Sequence, residues 1–197
     1  MSDEQKLFTQ QTDQLLKVLN QQRHDWLNHF QVLLGYLRLG RPEQGEEYLK
    51  RVTELAYQDS MIARINSSLL SVFFLTFNAL HQDLLLEVEV CNQVDLSDAA
   101  VSEADLFRAV TAIVFAVQEH VDKSPFEPVS MLISMFADKQ GIHFRFDLAG
   151  QLRASGQAAL EKLLESVKEN GIVAVESIHT DEEWILELLV PVVEGKR

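Results

Sequence analysis

The segment LKVLNQQRHDWLNHFQVLLGYL, Leu16 to Leu37, decides how this chain is read. Its residues Leu16, Leu19, Trp26, Phe30, Leu33 and Leu37 follow alternating steps of three and four, with Arg23 in the one seam position that is not apolar. That spacing predicts a long amphipathic helix with a bundle-type stripe. Gly40-Arg41-Pro42 comes next. The glycine suits the left-handed residue after a helix end, and the proline suits the first position of a new helix. Glu43, Glu46 and Glu47 then place negative charge at the positive helix terminus, and Leu49, Val52, Ala56 and Ile62 give this second helix an apolar side. So short a connection forces an antiparallel hairpin. One hairpin offers only two layers, so residues 1–66 are expected to pair with a second copy in a dimeric four-helix bundle.

Beyond Ile65 the period changes. Leu69 to Gln82 is too apolar for a solvated helix, and Leu84-Leu85-Leu86-Glu87-Val88-Glu89-Val90 alternates as a strand with one buried face. A helix is expected from Ser102 or Glu103 to about Val121, and strands at Val129–Phe136 and Ile142–Leu148 around a turn at Gly141. A helix at Gln157–Lys168 and strands at Ile172–Ile178 and Trp184–Val192 complete the pattern. Strands with interposed helices indicate a two-layer α/β sandwich over residues 67–197, and the chain as a whole is α+β.

Charge separates the same two parts. Residues 1–66 carry 8 Lys/Arg against 9 Asp/Glu, and residues 67–197 carry 9 against 21, within a total of −13. An acidic second part disfavours nucleic acid, anionic membranes and polyphosphates such as ATP. No stretch approaches the roughly 18 apolar residues of a membrane span, and the first residues lack a secretory signal, so a cytoplasmic location is expected. The single Cys91 excludes an internal disulfide and is expected to be a buried thiol.

On the first helix, His24 falls on the flank away from the seam. Around it lie Asn20, Gln21, Leu27, Asn28 and Gln31, amides about one imidazole and one leucine, which is the composition of a docking surface. A neutral, exposed imidazole is a nucleophile that can attack a phosphoryl group. Asp25 is placed to orient the ring, and Arg23 and Asn28 to hold phosphoryl oxygens. The plainer alternative, on the residues alone, is a solvated surface histidine.

Residues 23–37, Arg-His-Asp-Trp-Leu-Asn-His-Phe-Gln-Val-Leu-Leu-Gly-Tyr-Leu, resemble the phosphoacceptor helix of the sporulation initiation phosphotransferase B family and of the related citrate/dicarboxylate-type sensor histidine kinases. The resemblance extends more weakly through the hairpin length, Leu75-Thr76-Phe77-Asn78, and the order of elements. It implies that His24 is phosphorylated, that two hairpins form the bundle, and that the second domain is a degenerate histidine-kinase ATP-binding domain. A working kinase domain of that kind needs an asparagine-bearing helix and an Asp-x-Gly-x-Gly loop. Here Ala112-Ile113-Val114-Phe115-Ala116-Val117-Gln118-Glu119 has no asparagine, and Asp147-Leu148-Ala149-Gly150 lacks the second glycine.

The resemblance therefore implies a phosphorelay phosphotransferase without ATP, passing a phosphoryl group between receiver aspartates of response regulators through His24. Asn20, Leu27, Gln31 and Leu34 are expected to form the receiver-binding face, with Leu34 open to a core role instead. No cofactor or metal of its own is implied, because Mg²⁺ would come with the receiver. The alternative function is a dimeric docking module or antagonist that is not itself phosphorylated. Other signals read plainly. His24 and His29 are five apart and share no metal-binding face, Phe73, Phe74 and Phe77 read as interface core, and Asp181-Glu182-Glu183 reads as a solvated hairpin turn.

Overall fold

The computed structural model describes residues 3–81, 83–122, 129–180 and 183–193. Helix α1 spans Asp3–Arg38 and helix α2 spans Pro42–Ile62. The stripe from Leu16 to Leu37 thus lies in a helix that begins well before it, because Gln5 to Gln14 are good or neutral helix formers without a breaker. Gly40 adopts φ +65° and Pro42 opens α2, so the turn forms as its residues require. The hairpin closes on small and aromatic groups. Gly45 lies against Leu33 and Tyr36, and His29 Nδ1 is 2.8 Å from the Tyr48 hydroxyl.

The apolar side expected of α2 divides in two. Val52 and Ile62 are buried, whereas Leu49 and Ala56 are exposed. Ile62 and Ile65 join the core of the second half of the chain. Between them and the next helix, Asn66 takes φ +56°, a conformation asparagine tolerates, and its amide donates to Asp95 at 2.8 Å.

Helix α3 (Ser68–Leu80) is capped by the Ser67 hydroxyl, which accepts from the Leu70 amide. Strand β1 (Leu84–Val90) follows, then α4 (Glu103–His120), β2 (Val129–Ala137), β3 (Ile142–Ala149), α5 (Ala154–Glu169), β4 (Val173–His179) and β5 (Trp184–Val190). The strands form one sheet in the order β1-β2-β3-β5-β4. β1 and β2 are parallel, as the α4 crossover between them demands, and the remaining pairs are antiparallel.

One sheet face carries Leu84, Leu86, Met131, Ile133, Met135, Phe144, Phe146, Leu186 and Leu188, all buried against the helices. The expected α/β sandwich is therefore present. Ser102 caps α4, accepting from the Asp105 amide at 3.1 Å. Glu103 ties the starts of two helices together, accepting from the Ser67 hydroxyl and the Leu69 amide, which holds its carboxyl below the usual range.

Cys91 is exposed, contrary to the expected buried thiol. It stands one residue past β1, where the buried alternation has ended. Burial of part of its surface and the nearby Glu89 push its pKa up. Of the turn expected at Asp181-Glu182-Glu183, the first two residues lie outside the described residues. At its edges the Thr180 amide donates to the Glu183 carbonyl at 2.8 Å.

Candidate phosphoacceptor site on the first helix

His24 sits in the interior of α1, where backbone hydrogen bonds on both sides fix its position. Its side chain is 66% exposed. Asn28, one turn on, places its amide nitrogen 3.1 Å from His24 Nδ1, and Asp25 Oδ1 lies 3.4 Å from the same atom. Both contacts converge on Nδ1, and no hydrogen bond to Nε2 from a described residue accompanies them. Gln21 in turn donates to Asp25 Oδ1 at 2.9 Å, which braces the carboxylate from the preceding turn.

Each expected site residue has a definite place. Asn20, Leu27 and Leu34 are seven apart, as are His24 and Gln31, so they share one flank of α1, and all five are exposed. Leu34 is half exposed and outside the core. Arg23 turns toward Asn20, donating to its side-chain oxygen at 3.1 Å, rather than toward His24. Sequence reasoning passed over two contributors. Gln21 was legible as a neighbour four residues before Asp25, but its brace on the carboxylate was not. Tyr48, which holds His29 from α2, carried no local signal because its partner is 19 residues away.

In the second half of the chain, α4 and residues 147–150 are taken up by packing among the described residues. α4 carries no asparagine and buries Leu106, Val110, Ile113, Val114 and Val117. Gly150, the glycine after Asp147-Leu148-Ala149, has φ +159°, and a Cβ there would meet Val129 Cγ1 at 2.9 Å. Packing against Val129 accounts for it. The end of α4 is closed by α5, since a Cβ on Gly156 would lie 2.4 Å from His120 Cβ. His143 is buried, with Nδ1 2.8 Å from Glu187 and Nε2 3.1 Å from Asp138. Its ring stacks on Phe136 at 4.5 Å, which makes it a structural element of the sheet. Among the described residues no group of three His, Cys, Asp or Glu side chains is placed to hold a metal ion. No described helix is long and apolar enough to cross a membrane.

Residues 4–65 match the family model described as the sensor kinase SpoOB-type alpha-helical domain, and residues 66–191 match that of the sporulation initiation phospho-transferase B C-terminal region. Sporulation initiation phosphotransferase B of Bacillus subtilis (strain 168) is 32% identical over 87 residues, which are 44% of this chain and 45% of that protein. The match thus spans just under half of that relative. Among solved structures, a bacterial phosphotransferase is 13% identical with a TM-score of 0.41, over 90% of this chain and 96% of that one. The ATP-binding domain of PrrB from Mycobacterium tuberculosis is 16% identical with a TM-score of 0.46, over 65% of this chain and 94% of that one.

Proposed function

The chain belongs to the sporulation initiation phosphotransferase B family, and on that premise we propose that it is a phosphorelay phosphotransferase whose His24 accepts and returns a phosphoryl group. The observation that carries this reading is the arrangement at His24. Both hydrogen-bonding neighbours converge on Nδ1, and the side chain is largely open to solvent. With Nδ1 protonated toward Asp25, the Nε2 lone pair attacks the phosphorus of an aspartyl phosphate on a receiver domain. The N–P bond forms as the acyl O–P bond breaks, and the aspartate leaves as a carboxylate. The imidazolium that results is stabilised by Asp25. A second receiver's aspartate then attacks the phosphohistidine and restores the neutral ring.

Mg²⁺ belongs to the receiver in this scheme, where it neutralises the transferring oxygens. This chain supplies position: a nucleophile on a rigid helix, flanked by Asn20, Leu27, Gln31 and Leu34 as the docking face. ATP has no part in it. The helix that would bind magnesium lacks its asparagine, and α4 and α5 close on each other at Gly156 and His120.

Dimerisation follows from the seam. Leu16, Leu19, Trp26, Phe30 and Leu37 all stand roughly half exposed in the single chain, a continuous stripe that water would otherwise cover. A second hairpin buries it and makes the four-helix bundle.

The direct test is label transfer from a radiolabelled, phosphorylated receiver domain to the wild-type protein and to His24→Gln, resolved under conditions that preserve phosphohistidine. Label on the wild type alone is the expected result. Label retained by the variant would remove His24 from the chemistry, and binding without label on either protein would favour the docking antagonist.

A further inference from the structure

Helices α1, α2 and α3 and strand β1 enclose a groove of about 840 Å³. Its walls carry Asp25, Glu54, Asp59, Glu87 and Glu89, and no lysine or arginine is among the described residues that line it. Its lining also includes the apolar side chains Phe74, Leu75, Leu85 and Leu132. Burial in this setting pushes the Asp59 pKa up, as expected of a carboxylate without a cation.

The groove also has a backbone feature. β1 is an edge of the sheet, and two side chains cover its outward groups at intervals. Asn78 donates to the Leu86 carbonyl and accepts from the Leu86 amide, at 2.8 and 2.9 Å, and Gln58 accepts from the Val90 amide at 3.1 Å. Val88 lies between them and lines the groove. In a parallel ladder alternate residues direct both backbone groups to the same side, so the N–H and C=O of Val88 point outward with those of Leu86 and Val90.

We propose that this groove binds an extended segment of a partner protein in which lysine or arginine alternates with apolar residues. The cations meet Glu54, Asp59, Glu87 and Glu89, the apolar side chains cover Leu75, Leu85 and Leu132, and one peptide unit pairs with Val88. Charge complementarity selects this occupant over the acidic half of a second copy, whose residues 67–197 carry 9 Lys/Arg against 21 Asp/Glu. Gln21 and Asp25 border the groove and the surroundings of His24 alike. A protein seated on His24 therefore has the groove within its footprint, although the binding itself requires no phosphoryl transfer.

The test is fluorescence anisotropy with a short labelled peptide of alternating lysine and leucine. The proteins are the wild type, Glu87→Lys/Glu89→Lys, and Glu161→Lys/Glu165→Lys, which makes the same charge change on exposed positions of α5. The groove variant is expected to weaken binding about tenfold or more, and the α5 variant by less than about twofold. His24→Gln should bind as the wild type does, which separates this result from the fate of the transfer reaction. Equal weakening by both double variants, or by neither, would overturn the proposal, as would equal binding of a peptide with glutamate in place of lysine. Peptide binding that disappears as the protein concentration rises would assign the groove to a second copy instead.

Discussion

In the proposed transfer, the chemistry at His24 turns on which ring nitrogen carries the proton. Nε2 is nucleophilic only when Nδ1 is protonated, and Nδ1 has two neighbours that bear on this. Asp25 accepts only, so it favours the useful tautomer. Asn28, as placed, presents its amide nitrogen to Nδ1, a contact that suits the opposite tautomer; turning the amide to present oxygen lets it join Asp25 in favouring Nδ1–H. Gln21 keeps the Asp25 carboxylate in place by donating to Oδ1. In the proposed reaction Asp25 is thus a positioning residue for His24. Replacing Asp25 with Asn is expected to slow phosphoryl transfer about 10- to 100-fold at saturating receiver, within the usual reach of proton management by one side chain. The receiver concentration giving half-maximal rate should not move. A loss confined to that concentration, with the saturated rate intact, would make Asp25 a docking contact instead. The exposure of His24 and its neighbour Asn28 were legible in residues 23–29, because a helix places i and i+4 on one face. Arg23's turn toward Asn20 was not, since a long side chain on a helix surface chooses among several neighbours.

Among the elements, α3 packs on β1 through the shared core and is hydrogen-bonded to it by one side chain. Asn78 substitutes for a neighbouring strand at Leu86, satisfying both its amide and its carbonyl on an otherwise open sheet edge. Asn78→Ala leaves a donor and an acceptor without those bonds, and is expected to destabilise the protein by about 1–3 kcal/mol in urea unfolding. A change below about 0.5 kcal/mol, the range of ordinary surface substitutions, would show that water replaces the amide there. The elements themselves were largely readable. β1 runs over the very residues whose alternation marks it, and α4 begins after Ser102 because serine caps and acidic residues fill the first turn. Boundaries moved where the signal was weak. α5 starts at Ala154, three residues before the expected Gln157, since Gly156 is accepted inside its first turn for the close contact with His120.

For the molecule as a whole, the exposed seam and the buried sandwich call for different partners. Phe30, at the middle of the seam, is 54% exposed in the single chain. Phe30→Glu is expected to convert a dimer into a monomer in sedimentation velocity, while far-UV circular dichroism keeps the signature of the folded chain. The energetic reason is that burying an aromatic side chain stabilises by about 1.5–3 kcal/mol per copy, and a charge at the same point of a symmetric interface meets its own image. A wild-type protein that sediments as a monomer at micromolar concentration would leave the bundle without support.

The sequence by itself determined the local matters: a stripe that makes α1 a long amphipathic helix, a glycine and proline that turn it back, alternation that makes strands, and a histidine set on the polar flank. These are short-range consequences of period, capping and turn chemistry, so neighbours in sequence suffice to read them. Only the tertiary structure decided the rest. It split α2 between Val52 and Ile62, which are buried, and Leu49, which is not. It exposed Cys91, and it set His143 between two carboxylates. It also brought Glu87 and Glu89 of β1 and Asp25 of α1 into the lining of one groove. Such arrangements join residues tens of positions apart, and packing of whole elements, which no local pattern encodes, chooses which of them meet.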